Sequence, residues 1–313
     1  MALAAVTGAT GFLGRRLVLA LAEAGFEVRC LMRRDPVHPL WRDIEPQIVI
    51  GSLSDEAALE RLCAGADVVV HCAGLIKARN RAEFDAVNLD GAVAMANAAT
   101  RMAPSAPFLL ISSLVAREPD LSHYAASKRA GEEAVAALLG DRLTIVRPPA
   151  IYGPGDVETF ALFKAAATAP FLPVFDSAAR IALVHVEDAA AQIAALAKLP
   201  EPGATIALCD KNLAGYGWRD LMQAAAESVG RRPVLVKLPA GVVKLVGMLG
   251  SLAAKGSSAA MLTSEKAREI LHPDWSVSPK EHNDRLPASQ YGLKDGFIQT
   301  VRWYRKNGWL PPL

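Results

Sequence analysis

The chain has 313 residues, 52% hydrophobic and 21% charged, with a mean hydropathy of +0.22. That apolar content excludes a disordered chain, and the length admits one large or two modest domains with a substantial core. Thirty-four Lys+Arg against 32 Asp+Glu leave a formal net charge of +2, too weak a field to argue for nucleic acid. The cysteines Cys30, Cys63, Cys72 and Cys209 have no CxxC spacing and read as reduced, mostly buried thiols of a cytoplasmic protein. The start, MALAAVTGATG, has no basic leader and is not read as a signal peptide.

In chain order, the strand candidates are Ala2–Val6, Val28–Met32, Gln47–Ile50, Val68–His71, Phe108–Ser112 and Leu143–Val146. They are rich in Val, Ile and Leu without polar alternation, which suits parallel strands covered on both faces. Between them the pattern predicts helices over Phe12–Ala24, Asp55–Ala64, Glu83–Met102 and Ala125–Leu139. Strand alternating with helix implies an α/β, Rossmann-type doubly wound sheet. After Arg147 prolines punctuate shorter elements, with helices expected near Glu187–Lys198, Trp218–Val229 and within Tyr291–Leu310. The expected division is a dinucleotide-binding domain over 1–150, with later segments returning to its sheet, and a smaller substrate lobe over 151–313. Pro239–Ala254 is the most apolar later stretch; Lys244 interrupts it, and it is shorter than the roughly 20 residues of a spanning helix. It reads as a buried or substrate-side helix, and no integral membrane segment is expected.

The first strand runs into Thr7-Gly8-Ala9-Thr10-Gly11-Phe12-Leu13-Gly14 and then a helix, the context that makes a glycine triplet a dinucleotide fingerprint. Gly8 permits the tight turn, Gly11 lets backbone approach a pyrophosphate, and Gly14 lets the helix pack on the strand. The helix N-terminus offers N–H groups and a positive dipole end to phosphates. The second strand ends in Arg33-Arg34-Asp35-Pro36, where many NAD sites carry an acid. Two guanidiniums suit a 2′-phosphate, so NADP (NADPH) is the expected cofactor; NAD is the alternative, with Asp35 as ribose acceptor.

The fifth strand ends in Ser112-Ser113, and Tyr124-Ala125-Ala126-Ser127-Lys128 opens the next helix. Tyr124 and Lys128, four apart, share a helix face. A nearby ammonium lowers a phenol's pKa, which makes it a usable acid/base, and a strand-end serine can hold a substrate oxygen against it. Taken in order, TGATGFLG, the serine pair, YAASK, RPPAIYGPGD and VHVED resemble the extended short-chain dehydrogenase/reductases, the NAD-dependent epimerase/dehydratase family. The likeness runs from about residue 2 to about residue 230.

The resemblance implies Tyr124 as acid/base, Lys128 as ribose ligand, Ser113 as the hydroxyl that orients substrate, and Asn88 in the proton relay. It also implies that His71-Cys72-Ala73-Gly74 backs the adenosine ribose and that Arg147-Pro148-Pro149-Ala150-Ile151 meets the nicotinamide carboxamide. Ser52-Leu53 stands where the family often has Asp-Leu, which weakens the adenine contact expected there. The loop between Ser113 and Tyr124 is short, closer to reductase-like and complex I-associated members than to sugar epimerases. Position 71 reads as a structural histidine, His185 as the fixer of a strand-to-helix corner, and His123 as a surface or capping residue. Neither these nor His38, His272 and His282 suggest a metal set. Asp176, Arg180, Arg231 and Arg232 are candidates for a charged substrate, or plain surface charges.

Three readings stand. The leading one is an NADP(H)-dependent oxidoreductase moving hydride between nicotinamide and a ketone or secondary alcohol. The second is a nucleotide-sugar epimerase/dehydratase that retains NAD. The third is a non-catalytic nucleotide-binding or assembly protein. The partner is a small-molecule substrate; Phe160, Phe163, Phe171, Leu172, Phe175 and Val242–Leu252 favour an apolar one, and a homodimer stays open.

Overall fold

The computed structural model describes residues 1–34, 39–175, 178–253 and 263–312. Asp35, His38 and Asp176 lie outside the described residues. The chain forms two compact units: Met1–Pro148, Ala189–Leu208 and Glu281–Pro287 make the first, and Pro149–Asp188, Cys209–Lys280 and Ala288–Leu313 the second.

The first unit is a Rossmann-type sheet. Its strands are β1 (Ala2–Thr7), β2 (Phe26–Met32), β3 (Gln47–Ile50), β4 (Val68–His71), β5 (Phe108–Ile111), β6 (Leu143–Arg147) and a seventh strand, Thr205–Ala207. From edge to edge the order is Thr205–Ala207, β6, β5, β4, β1, β2, β3, and every pair is parallel. β4 and β5 are buried along their whole length, which explains their unbroken apolar sequences. The chain winds outward from β1 to β3, then returns to place β4 on the other side of β1. The carboxyl ends of β1 and β4 therefore flank the topological switch point, where open α/β sheets bind ligands.

The helices over this sheet are α1 (Gly14–Glu23), α2 (Glu56–Cys63), α3 (Arg81–Asp85), α4 (Gly91–Met102) and α5 (His123–Leu139). Asp55 caps α2 by accepting from Ala58 N at 3.0 Å, and Ser122 caps α5 by accepting from Ala125 N at 3.0 Å. The helix expected over Glu83–Met102 is not continuous. A π-helical turn, Ala86–Asp90, separates α3 from α4, and it carries Asn88. Such a turn inserts an extra residue into the helix and recurs at functional sites.

The second unit contains α6 (Phe160–Thr168), α8 (Trp218–Ser228), α9 (Ala240–Ala253), α10 (Ser264–Leu271) and α11 (Leu293–Lys306), with α7 (Val186–Lys198) starting in it and ending in the first. Its strands form parallel pairs, Ala150–Tyr152 with Leu183–His185 and Phe171–Val174 with Val234–Lys237 among them. Edge-to-face aromatic contacts fill its core: Tyr152 on Phe297 at 5.1 Å, Phe163 on Phe297 at 4.9 Å and Phe160 on Tyr304 at 5.1 Å between ring centroids. Phe163 and Leu172 are fully buried here, so they are core and carry no argument for an apolar substrate. His185 is buried at the end of its strand and accepts from Glu187 N at 3.3 Å, fixing the corner into α7.

Candidate active site

The glycine turn joins β1 to α1 and presses against the loop after β4. Gly8 has φ +74°, and a Cβ there would lie 2.5 Å from Ala73 N and 2.6 Å from the Cys72 carbonyl carbon. A Cβ at Gly14 would run into the Gly8 carbonyl oxygen. Both glycines are therefore required for β1, α1 and the β4 loop to meet. Gly11, whose N–H donates to Gly8 O at 3.0 Å, is exposed, as is Thr10, whereas Leu13 and Gly14 are buried and Phe12 half-buried.

α1 begins without a side-chain cap and without an acid in its first turn. Arg15 and Arg16 stand there instead, a charge that works against the helix dipole and favours a bound anion. The Arg15 guanidinium folds back to donate to Gly11 O at 3.2 Å and Thr10 O at 3.1 Å, which steadies the turn. Sequence reasoning missed Arg15; a basic first helical turn directly behind the glycines is the signal that could have found it.

Thr7 is fully buried at the end of β1. Its hydroxyl accepts from Ala73 N at 3.3 Å and bonds His71 Nδ1 at 2.9 Å, so Thr7 ties the β1 and β4 ends together. Burial, reinforced by the Lys128 charge, pushes His71 down to about 3. His71 is thus a neutral structural residue, with its Nε2 buried and unpartnered among the described residues.

The second cluster gathers around Lys128, which is 7% exposed. Its Nζ donates to Ile111 O at 2.8 Å, fastening α5 to the end of β5 immediately before Ser112-Ser113. Among the described residues this is the ammonium's one hydrogen bond, so two of its hydrogens remain for a ligand. Burial pushes Lys128 down to about 8, with Cys72 and Glu132 opposing the shift. A Cβ on Gly74 would lie 3.3 Å from Asn88 Oδ1 and 3.4 Å from Lys128 Nζ, so a side chain there would crowd both.

Asn88 binds the loop after β4 with both ends of its amide: Oδ1 accepts from Leu75 N at 2.8 Å and Nδ2 donates to Leu75 O at 2.9 Å. Nδ2 also donates to Ser127 Oγ at 2.9 Å, and Ser127 donates to Tyr124 O at 2.8 Å. Tyr124, half-buried in the first turn of α5, is thereby held through its backbone, with its ring 5.8 Å from that of Phe84. A Cβ on Gly131 would strike the Asn88 carbonyl oxygen, so Gly131 lets α5 lie directly on the π-turn. Ser127 and Gly131 were missed in the sequence, although Ser127 lies inside YAASK itself.

The Ser112 hydroxyl is buried with no hydrogen-bond partner among the described residues, and Ser113 Oγ makes a long contact, accepting from Val115 N at 3.5 Å. Behind Lys128, Glu132 and Arg147 form a bidentate ion pair at 2.9 and 2.6 Å, with side chains only 3% and 11% exposed. Their spacing is legible only with the fold in hand: Glu132 lies one turn beyond Lys128, and Arg147 ends β6.

The structure therefore gathers Thr7, Gly8 and Gly14 with Cys72 and Ala73, and Lys128, Asn88 and Gly74 with the Ser112-Ser113 strand end. Other expected contacts stand apart. Arg33 and Arg34 follow β2 and are exposed. The Ser52 hydroxyl bonds Ser54 Oγ at 2.9 Å, and Leu53 packs under α4, where a Cβ on Gly91 would lie 2.7 Å from its Cδ1. Pro148 accepts from Leu114 N at 2.8 Å in the first unit, whereas Ala150 and Ile151 belong to a strand of the second. Among the described residues no group of His, Cys, Asp or Glu could hold a metal ion.

An uncapped helix behind a glycine turn, an ammonium with hydrogens to spare and orphaned polar groups at the switch point fit a nicotinamide dinucleotide. They define a dinucleotide-binding enzyme of the Rossmann class. The model of the NAD dependent epimerase/dehydratase family matches residues 4–207, and the chain belongs to that family. It is 51% identical over 308 residues to a ceramide reductase of Caulobacter vibrioides (strain NA1000 / CB15N), covering 98% of this chain and 96% of that protein. Among solved structures, gox2253 aligns with TM-score 0.79 at 21% identity, covering 98% of each chain. MoeE5 in complex with UDP-glucuronic acid and NAD aligns with TM-score 0.72 at 19% identity, covering 98% of this chain and 100% of that one. These two likenesses speak for the fold.

Proposed function

We propose that this protein is an NADPH-dependent reductase that converts a ketone on a long-chain amide lipid, an oxidised ceramide, to the secondary alcohol. The observation that carries this reading is the likeness to the Caulobacter ceramide reductase. It extends over 308 residues, well past the 4–207 stretch of the family model and through the second unit, which is proposed as the substrate lobe. The bound nicotinamide supplies a hydride equivalent to the carbonyl carbon.

The rest of the chemistry belongs to the chain. Ser113 donates a hydrogen bond to the carbonyl oxygen, and Tyr124 transfers its phenolic proton to the same oxygen as negative charge develops there. Hydride on carbon and proton on oxygen complete the alcohol. Lys128 holds the cofactor ribose with the hydrogens left over from Ile111, and its charge favours the tyrosinate that remains. Asn88 is a positioning residue, holding Ser127 and thereby the backbone of Tyr124. Arg33 and Arg34 meet the 2′-phosphate, while the uncapped start of α1 with Arg15 meets the pyrophosphate.

The test is direct. Purified protein with NADPH and a ceramide bearing a ketone in place of its secondary alcohol should consume cofactor and yield a product heavier by two hydrogens. Absence of turnover on that lipid, together with turnover of a nucleotide sugar, overturns the reading.

A further inference from the structure

α9 does not behave as the buried helix its composition suggests. Of the ten residues from Ala240 to Leu249, only Val243 and Gly247 are buried. Gly247 seats the helix on α10: a Cβ there would lie 2.8 Å from Ala267 Cβ and 3.0 Å from Thr263 O. Away from Val243 and Gly247, the residues Val242, Leu245, Val246 and Leu249 are 44%, 51%, 47% and 55% exposed. Their i, i+3, i+4, i+7 spacing makes one apolar stripe, extended on one side by Met248 at 50% exposure. Lys244 borders it one turn before Met248. In the strand just before the helix Val234 and Val236 are exposed as well, and so is Phe171, which lies beside Val234 in the paired strand. No packing within the described residues covers this stripe.

Charge says what does. From Ser228 to Ser264, 37 residues, there is no Asp or Glu, but Arg231, Arg232, Lys237, Lys244 and Lys255 are present. This one segment carries +5 in a chain whose formal net charge is +2. A second copy docking on the stripe by a two-fold would bring two Lys244 and two acid-free segments together, which is repulsive. Apolar side chains on one face with Lys244 at the margin, in a stretch of sequence that carries +5, match an anionic bilayer surface, where the chains enter the headgroup boundary and the ammonium meets phosphates. Spanning is not an option: at about 1.5 Å per residue, α9 is shorter than the hydrocarbon core of a bilayer.

We propose that the outer face of α9 is a membrane-docking surface, lying in the plane of an anionic phospholipid bilayer. The surface does not depend on the substrate assignment.

Flotation of the full chain with vesicles tests this without substrate or cofactor, so its failure is distinct from failure of the reductase reading. On phosphatidylcholine mixed two to one with phosphatidylglycerol, binding should exceed that on phosphatidylcholine alone by at least about tenfold and fall with added salt. Leu245→Glu with Leu249→Glu should abolish binding, and Lys244→Glu should weaken it severalfold. Ile298→Glu, at an exposed position on α11, should bind as wild type. All four substitutions fall at exposed positions, so thermal unfolding should confirm a folded protein in each case. Equal binding to both vesicles, or stripe variants that bind as wild type, overturns the proposal. So does a lipid-free oligomer, seen by light scattering, that the stripe variants dissolve, because the occupant would then be a second copy.

Discussion

The two units are built around different cores. In the first, the ends of β1, β4 and β5 gather a histidine, a lysine, an asparagine, a threonine and serines, and most are tied by specific hydrogen bonds. In the second, the core is a stack of aromatic rings, and the buried carboxylates Asp156, Asp188 and Asp210 lie beside it, each held by backbone N–H groups. A network in low dielectric is intolerant of losing one member, because the orphaned partner keeps its desolvation cost. An aromatic core tolerates similar shapes. The first unit should therefore lose function or fold abruptly when one member is removed, and the second should lose stability by degrees.

The largest effect tests the reactive end of the first network. Tyr124→Phe removes the phenolic hydroxyl and keeps the ring, so turnover should fall by about 10²–10⁴ while NADPH binding stays within a factor of a few. Turnover near wild type would remove Tyr124 from the chemistry. Next is the ion pair behind Lys128. Glu132→Ala takes both hydrogen-bond acceptors from the nearly buried Arg147 and leaves only the charge of Glu281 nearby, which should cost roughly 3 kcal/mol of unfolding free energy in urea titration. For the contrasting unit, Phe163→Leu should cost only about 1 kcal/mol and leave NADPH affinity unchanged. Equal costs at the two positions would break the contrast.

How far the sequence reveals each unit follows from the same difference. The glycine turn, the serine-ended strand and YAASK are legible because each has a local cause: a backbone conformation, a helix face, a strand end. Residues whose role arises only across elements are not. Arg147 and Glu132 lie fifteen positions apart and on different elements. The π-turn at Asn88 lies against Gly131, and its amide grips Leu75; these contacts across elements leave no periodicity in Glu83–Met102. The seventh strand, Thr205–Ala207, is three residues long and carries no pattern at all. α9 shows the converse failure: its apolar composition is plain, but composition does not say which side of a helix finds a partner.

A further effect concerns cofactor choice. Arg33 and Arg34 are exposed at the end of β2, so the bonds proposed for them to a 2′-phosphate would be screened by solvent and salt. Even so, NADPH should bind at least about tenfold tighter than NADH, a difference of roughly 1.4 kcal/mol. Replacing both arginines by alanine should erase most of that gap and leave NADH affinity nearly unchanged, as measured by calorimetry. Tighter NADH in the wild type would transfer the ribose contact to Asp35.

The smallest effect is a pH dependence, and its sign is fixed by which form burial disfavours. Lys128 titrates at about 8 in the folded protein, below the ordinary lysine value of 10.5, because its charged form is desolvated. Below about pH 8 the ammonium is present and can donate to the ribose; above it the group loses a proton and its charge. NADPH affinity should therefore hold between pH 6 and 7.5 and weaken by about threefold to tenfold by pH 9, since a group titrating near 8 is then about 90% neutral. Folding stability should move the other way. Between about 8 and 10.5 the unfolded chain keeps a proton on Lys128 that the folded chain has released, so this group's contribution to stability rises with pH across that window and is flat below it. Lys128→Met removes the charge at every pH and should flatten both curves while weakening NADPH binding throughout. An affinity that stays level to pH 9 in the wild type would mean that the ribose is held by groups other than this ammonium.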